Sequence, residues 1–212
     1  MHVTASGAID WAVQAVGSSH SCGIAYDGAG GALVTGYFRG NVLFGSTSLT
    51  SRGMAVTDTF VMHVTASGAI DWAVQAAGES ATDSNGIAYD GAGGALVTGD
   101  FRGKASFGST SLTSRGSTDA YVMHVTASGA IDWVVQAGGE SVTSKGIAYD
   151  GAGGALVTGD FRGKASFGST SLTSRGSLDT FVMHVTASGA INWVVQTGGS
   201  SVSPRAIAHD GA

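Results

Sequence analysis

One cysteine and one proline stand in 212 residues. A lone Cys22 supports no intrachain disulfide and no cysteine-based zinc site. Charge is scarce as well. Lys, Arg, Asp and Glu make up 12% of the chain, about half the usual share of roughly 25%. The ten basic residues are scattered and the net charge is −5, so the concentrated cationic footprint that nucleic acid requires is missing. Apolar runs such as Gly31–Gly36 fall far short of the ~20 residues of a membrane-spanning helix, and membrane insertion is not expected. Asn41, Asn85 and Asn192 all lack the hydroxyl residue of a glycosylation sequon. No G-x-S-x-G, H-E-x-x-H or P-loop occurs, and no i, i+3, i+4 apolar stripe marks a helix. No catalytic residue, metal site or cofactor is therefore expected.

What the chain has is glycine, 35 residues of it, with a hydrophobic content of 43%. That content, with periodic Trp, Phe and Ile, builds a core and argues against disorder. Above all the chain repeats itself. MHVTASGAI begins at Met1, Met62, Met123 and Met183, and Gly86–Ser117 is identical to Gly146–Ser177. A fixed period means one supersecondary unit stacked on copies of itself. No cleavable leader is visible. Met1 holds the register of the later copies, as a fragment or processed form of a longer protein would.

Within one unit, Gly86–Tyr89 is a short apolar run and Asp90–Gly94 supplies the positive φ of a hairpin turn. Ala95–Phe101 reads as a second strand, broken by Arg102–Lys104. Ala105–Ser114 is a weaker β-segment with Gly108 inside it, an excursion or small hairpin. Tyr121–Thr126 alternates, with Tyr121, Met123 and Val125 on one face. Ser128-Gly129 turns the chain into Ile131–Gln136, where Ile131, Trp133 and Val135 share a face. Gly138–Lys145 reads as a polar loop to the next unit.

Four antiparallel strands per period of about 60 residues predict an all-β, propeller-like array of four-stranded blades. The run Thr98-Gly-Asp-Phe-Arg-Gly-Lys-Ala-Ser-Phe-Gly108, followed by Asp119, Tyr121-Val122, Ala127-Ser-Gly129 and Trp133, resembles the bacterial SBBP-type β-propeller repeat. The resemblance covers essentially the whole chain. It implies a propeller fold and an extracellular or cell-surface location. His63, His124 and His184 depart from it, standing where a longer polar or basic side chain is expected.

The chain divides into a partial blade over 1–22, blades over 23–85, 86–145 and 146–205, and a partial blade over 206–212. The leftover strands are expected to seek partners, in a four-position ring, a reciprocal dimer or a head-to-tail filament. An isolated monomer is not expected to remain open.

Candidate site residues follow from the register. Trp11, Trp72, Trp133 and Trp193 alternate with Ile and Val, which suits packing between blades, while a stripe of Trp also suits sugar stacking. Asp58, Asp119 and Asp179 precede the third strand and suit carboxylates that accept backbone N–H groups. His2, His63, His124 and His184 would converge on a metal only if they lined a closed axis. Asp100 and Arg102, like Asp160 and Arg162, share a face and either pair with each other or form repeated polar pockets for a glycan. The first unit has Tyr37 and Arg39 there. Asp83–Gly86 has the opening of a calcium loop without its downstream Glu. His20 and Cys22 lack a third partner for nucleophilic chemistry. Val16–Cys22, Ala77–Asn85, Gly138–Lys145 and Gly198–Arg205 differ between copies and cluster on one rim, as drift or as specificity. The function expected is a non-enzymatic scaffold mediating self-assembly or adhesion. Its partners are copies of itself. The alternative is a repeat lectin with a glycan on each blade.

Overall fold

The computed structural model describes residues 1–53, 55–198 and 203–210. It is all-β, with seventeen strands in antiparallel sheets and no helix among the described residues. A short ladder of β1 (His2–Val3) and β2 (Ile9–Trp11) opens the chain. The first full unit follows as β3 (Val16–Tyr26), β4 (Ala32–Phe44), β5 (Thr47–Thr50), β6 (Asp58–Val64) and β7 (Ile70–Gly78). The second comprises β8 (Thr82–Tyr89), β9 (Ala95–Phe101), β10 (Lys104–Phe107), β11 (Thr110–Thr113), β12 (Asp119–Val125) and the first half of β13 (Ile131–Tyr149). The second half of β13 starts the third unit, with β14 (Ala155–Phe167), β15 (Thr170–Thr173), β16 (Asp179–Val185) and β17 (Ile191–Gly198). Each unit pairs its four main strands in chain order.

The turns follow from their residues. Asp90 Oδ1 accepts the Ala92 and Gly94 N–H groups, closing the turn between first and second strands. Between third and fourth strands, Gly129 N–H donates to Thr126 O and Ala130 N–H to Thr126 Oγ1. Gly129 sits at φ +82°, a conformation other L-residues rarely adopt.

The excursion at Ala105–Ser114 is a hairpin, β10 against β11, and it lands on the preceding unit. Ala105, Ser106 and Phe107 pair with Gly78, Ala77 and Ala76 of β7. Ala165–Phe167 of β14 pair in the same register with Gly139, Gly138 and Ala137 of β13. The backbone of each hairpin thus extends its neighbour's sheet. Its Phe stays home: Phe107 packs on Phe101 and Tyr121, and Phe167 on Phe161 and Phe181. In the first and third units the second strand runs unbroken into the hairpin.

One expectation is corrected. Gly138–Lys145 is not a loop but the middle of the 19-residue β13. Its side chains alternate, with Val142, Ser144 and Gly146 buried and Thr143 and Lys145 partly exposed. Gly138 and Gly139 carry no Cβ, and a Cβ there would meet Asp119 and the Lys164–Ala165 backbone. Close packing of the hairpin against this stretch keeps it extended. Val16–Cys22 likewise lies in β3, and Asp83–Gly86 lies in β8 rather than in a cation-binding loop. Of the last variable segment, 199–202 lie outside the described residues.

Candidate interaction site at the joint between units

The joint between successive units has three parts. The first is the hairpin just described. Ala76 and Ala137, on the outer strand of one unit, are each 1% exposed and belong to the core of the next.

The second part is the tryptophan of the fourth strand. Trp72 Nε1 donates to Ala127 O at 3.0 Å, and Trp133 Nε1 to Ala187 O at 3.1 Å. In both cases the acceptor is the Ala-Ser-Gly turn of the following unit. Gly129 and Gly189 lie flat on these rings, where a Cβ would meet ring carbon at 2.9 and 2.8 Å. Trp11 makes the same bond to Ala66 O. The face of each ring toward its own unit stacks on the histidine of the third strand, 5.8 Å away for His63 and Trp72.

The third part joins the first strands. The Ile87 side chain lies against Gly23, and Ile147 against Gly86. Tyr89 covers Gly28, and Tyr149 covers Gly91. Residues 206–209 continue the series, with Ala206 and Ile207 over Gly146 and the His209 ring beside Gly151.

Histidine holds each unit's own edge together. His63 Nε2 bonds Asp27 at 2.9 Å and Nδ1 bonds Asp71 at 2.8 Å. His124 does the same with Asp90 and Asp132. A neutral imidazole has one N–H, so the two carboxylates that flank His63 favour its doubly protonated ring. Burial alone would lower the His63 pKa, but the bonds and charges of Asp27 and Asp71 raise it above the usual value. Burial pushes Asp27 up in turn, yet His63 and the turn N–H groups leave it below the usual carboxylate range. In the third unit Asn192 replaces the outer carboxylate. The four histidines are not brought to one centre. No cluster of three or more His, Cys, Asp or Glu fit for a metal occurs among the described residues.

Asp58, Asp119 and Asp179 are fully buried as the first residues of the third strand. They accept the Arg52, Arg115 and Arg175 N–H groups and the side-chain amides of Gln75, Gln136 and Gln196. Asp100 and Asp160 are not paired with Arg102 and Arg162, which corrects the expected pairing. Their carboxylates bridge the first strand of their own unit and the corresponding segment of the next. Asp100 accepts the Ser144 N–H at 2.8 Å and the Asn85 amide at 2.7 Å. Asp160 accepts Thr143 and Ser203 hydroxyls, with Lys145 Nζ 3.9 Å away. Arg102 Nε donates to Thr118. Desolvation pushes the Asp100 carboxyl up to about 7 against these bonds, with Asp160 adding to the rise. In the first unit His20 stacks on Tyr37, and both line a small cavity of ≈ 130 Å³ with Arg39. Cys22 is exposed.

Sequence reasoning singled out the tryptophans but missed Asp27, Asp90 and Asp150. Their signal was present in the recurring offset between the Asp-Gly turn and the histidine, 36 residues in the first unit and 34 in the others. The destination of the hairpin had no local signal.

The joint has two unfilled faces. Beside β3, Ile24 and Tyr26 are 67% and 64% exposed, and they line a cleft of ≈ 840 Å³ with Met1, His2 and Trp11. On β17, Trp193 and Val195 are 41% and 54% exposed. No strand pairs with the outer edge of β17 among the described residues. No family model matches the chain, and no curated protein matches it.

Proposed function

We propose that this protein is a non-enzymatic, extracellular or cell-surface repeat scaffold that assembles with copies of itself. In this reading its units stack as propeller-like blades, as the SBBP-type resemblance implies, and the unit-to-unit joint continues from one molecule to the next. The observation that carries it is the pair of unfilled faces. Ile24 and Tyr26 present the side chains that Ile87 and Tyr89 bury against a preceding unit, and Trp193 presents the ring that Trp133 buries against a following one. Apolar surface of this kind, bordered by an open strand edge, marks an interaction site.

Sedimentation velocity across a wide concentration range tests the proposal. Concentration-dependent dimers or longer species are expected, and Ile24→Asp and Trp193→Asp should each weaken them at least tenfold. A single 21.0 kDa species at every concentration overturns the proposal.

A further inference from the structure

We infer that assembly proceeds by strand exchange, with residues 1–16 and 203–210 serving in each chain as place-holders for the neighbouring molecule. This rests on the self-assembly reading above and names its partner surface. Residues 1–16 repeat 183–198, differing only at Asp10/Asn192, Ala12/Val194, Ala15/Thr197 and Val16/Gly198. They also occupy the position of a preceding unit's third and fourth strands. Trp11 bonds Ala66 O as Trp72 bonds Ala127 O, and Val16 pairs with Leu43 at the register where Ala77 pairs with Ser106. At the other end, Ala206–His209 stand on the third unit as Gly86–Tyr89 stand on the first.

Both place-holders fit less well than what they replace. β1 and β2 are two and three residues long, against seven and eight for β16 and β17. They pair only with each other. Ile24 and Tyr26, whose counterparts Ile87 and Tyr89 lie on a preceding unit's first strand and turn, stay exposed. The His209 ring stands 3.6 Å from the Gly151 Cβ position, where Tyr149 reaches 2.7 Å at Gly91. Release of 1–16 from one molecule and 203–210 from another lets the first unit of one follow the third unit of the other directly. Every contact then has a template in the chain. The hairpin bearing Phe44 adds to β17, Trp193 Nε1 meets the partner's Ala66 carbonyl, and Ile24 and Tyr26 cover Gly146 and Gly151. The occupant of both faces is a second copy, fixed by continuity with the joints inside the chain.

A reversible lock tests this. Val16→Cys and Leu43→Cys, in a Cys22→Ser background, place two thiols opposite each other on the β3–β4 ladder. Oxidation ties the place-holder down. Exchange predicts that the reduced protein assembles and the oxidised protein stays monomeric at the same concentration. Equal assembly in both states overturns exchange and leaves self-assembly standing. No assembly by the reduced protein or by wild type overturns both. Trp11→Ala gives an independent reading. It loosens the place-holder without altering the faces that meet, so association should strengthen several-fold, and unchanged or weaker association counts against exchange.

Discussion

The joint between the second and third units and the outer face of the third unit are built from the same residue types, one filled and one bare. Trp133 gives its N–H to Ala187 and lies under Gly189, while Trp193 has neither a turn above it nor a hairpin beside it among the described residues. Ala137 is 1% exposed, and its counterpart Thr197 is exposed. The difference teaches where a unit's stability is located. Four strands close a ladder, but the apolar groups of the outer strand are buried only by the next unit. Stability in such an array is a sum of weak intrinsic terms and strong neighbour terms.

The largest expected effect breaks the filled joint. Phe167→Ala removes a ring that is 1% exposed and that anchors the hairpin laid on β13, and should cost about 3–5 kcal/mol in urea unfolding. Next comes a paired test. Trp133→Ala should cost about 2–3 kcal/mol and Trp193→Ala under about 1 in the monomer, because only the first has its clasp. Equal losses would mean that the two faces do not differ.

A pH series sharpens the contrast further. Asp100 spans the filled joint through Ser144, and its folded pKa of about 7 lies above the unfolded value of 3.8. A raised carboxyl binds its proton more tightly in the folded state. Stability is therefore undiminished below about pH 4 and falls as pH rises toward 7, by about 2 kcal/mol once the partial exposure of Asp100 is discounted. Asp100→Asn should flatten that slope. His63, also raised, adds stability that is fully present below its unfolded value and lost as pH rises through its folded one. Both groups act in the same direction. The smallest effect isolates the clasp itself. Gly7 and Gly189 both sit at φ +80°, but a Cβ at Gly7 meets nothing within 4 Å, whereas at Gly189 it meets the Trp133 ring. Gly189→Ala should exceed Gly7→Ala by about 1 kcal/mol, since the backbone cost cancels between them.

Much of the ladder was legible because its signals are local. Tyr121–Val125 alternates, the Asp90-Gly turn states its own conformation, and the Ile131–Gln136 run has period two. Three features were not legible. Ser141–Lys145 is polar and reads as a loop, yet it is extended because the third unit's second strand pairs along it. The hairpin at Ala105 has its pairing partner some thirty residues earlier, in another copy, where no local pattern points. Asp100 and Arg102 share a face by spacing, but the donors to Asp100 are Asn85 on its own unit's first strand and Ser144 in the next unit. The hairpin and Asp100 each have a partner in another unit, which a reading one period long does not reach.

The continuous β13 has a mechanical consequence. It is the outer strand of the second unit and the first strand of the third, with no turn between them, and it joins β8, β9 and β12 to β14, β15, β16 and β17 in one eight-stranded sheet. Between β7 and β8 the chain instead turns at Glu79–Ala81. Tension along the chain therefore meets a turn in one place and a continuous strand in the other. A force–extension trace should show the first unit yielding alone and the second and third giving way together. Chemically near-identical modules would then behave as a short link coupled to a long one.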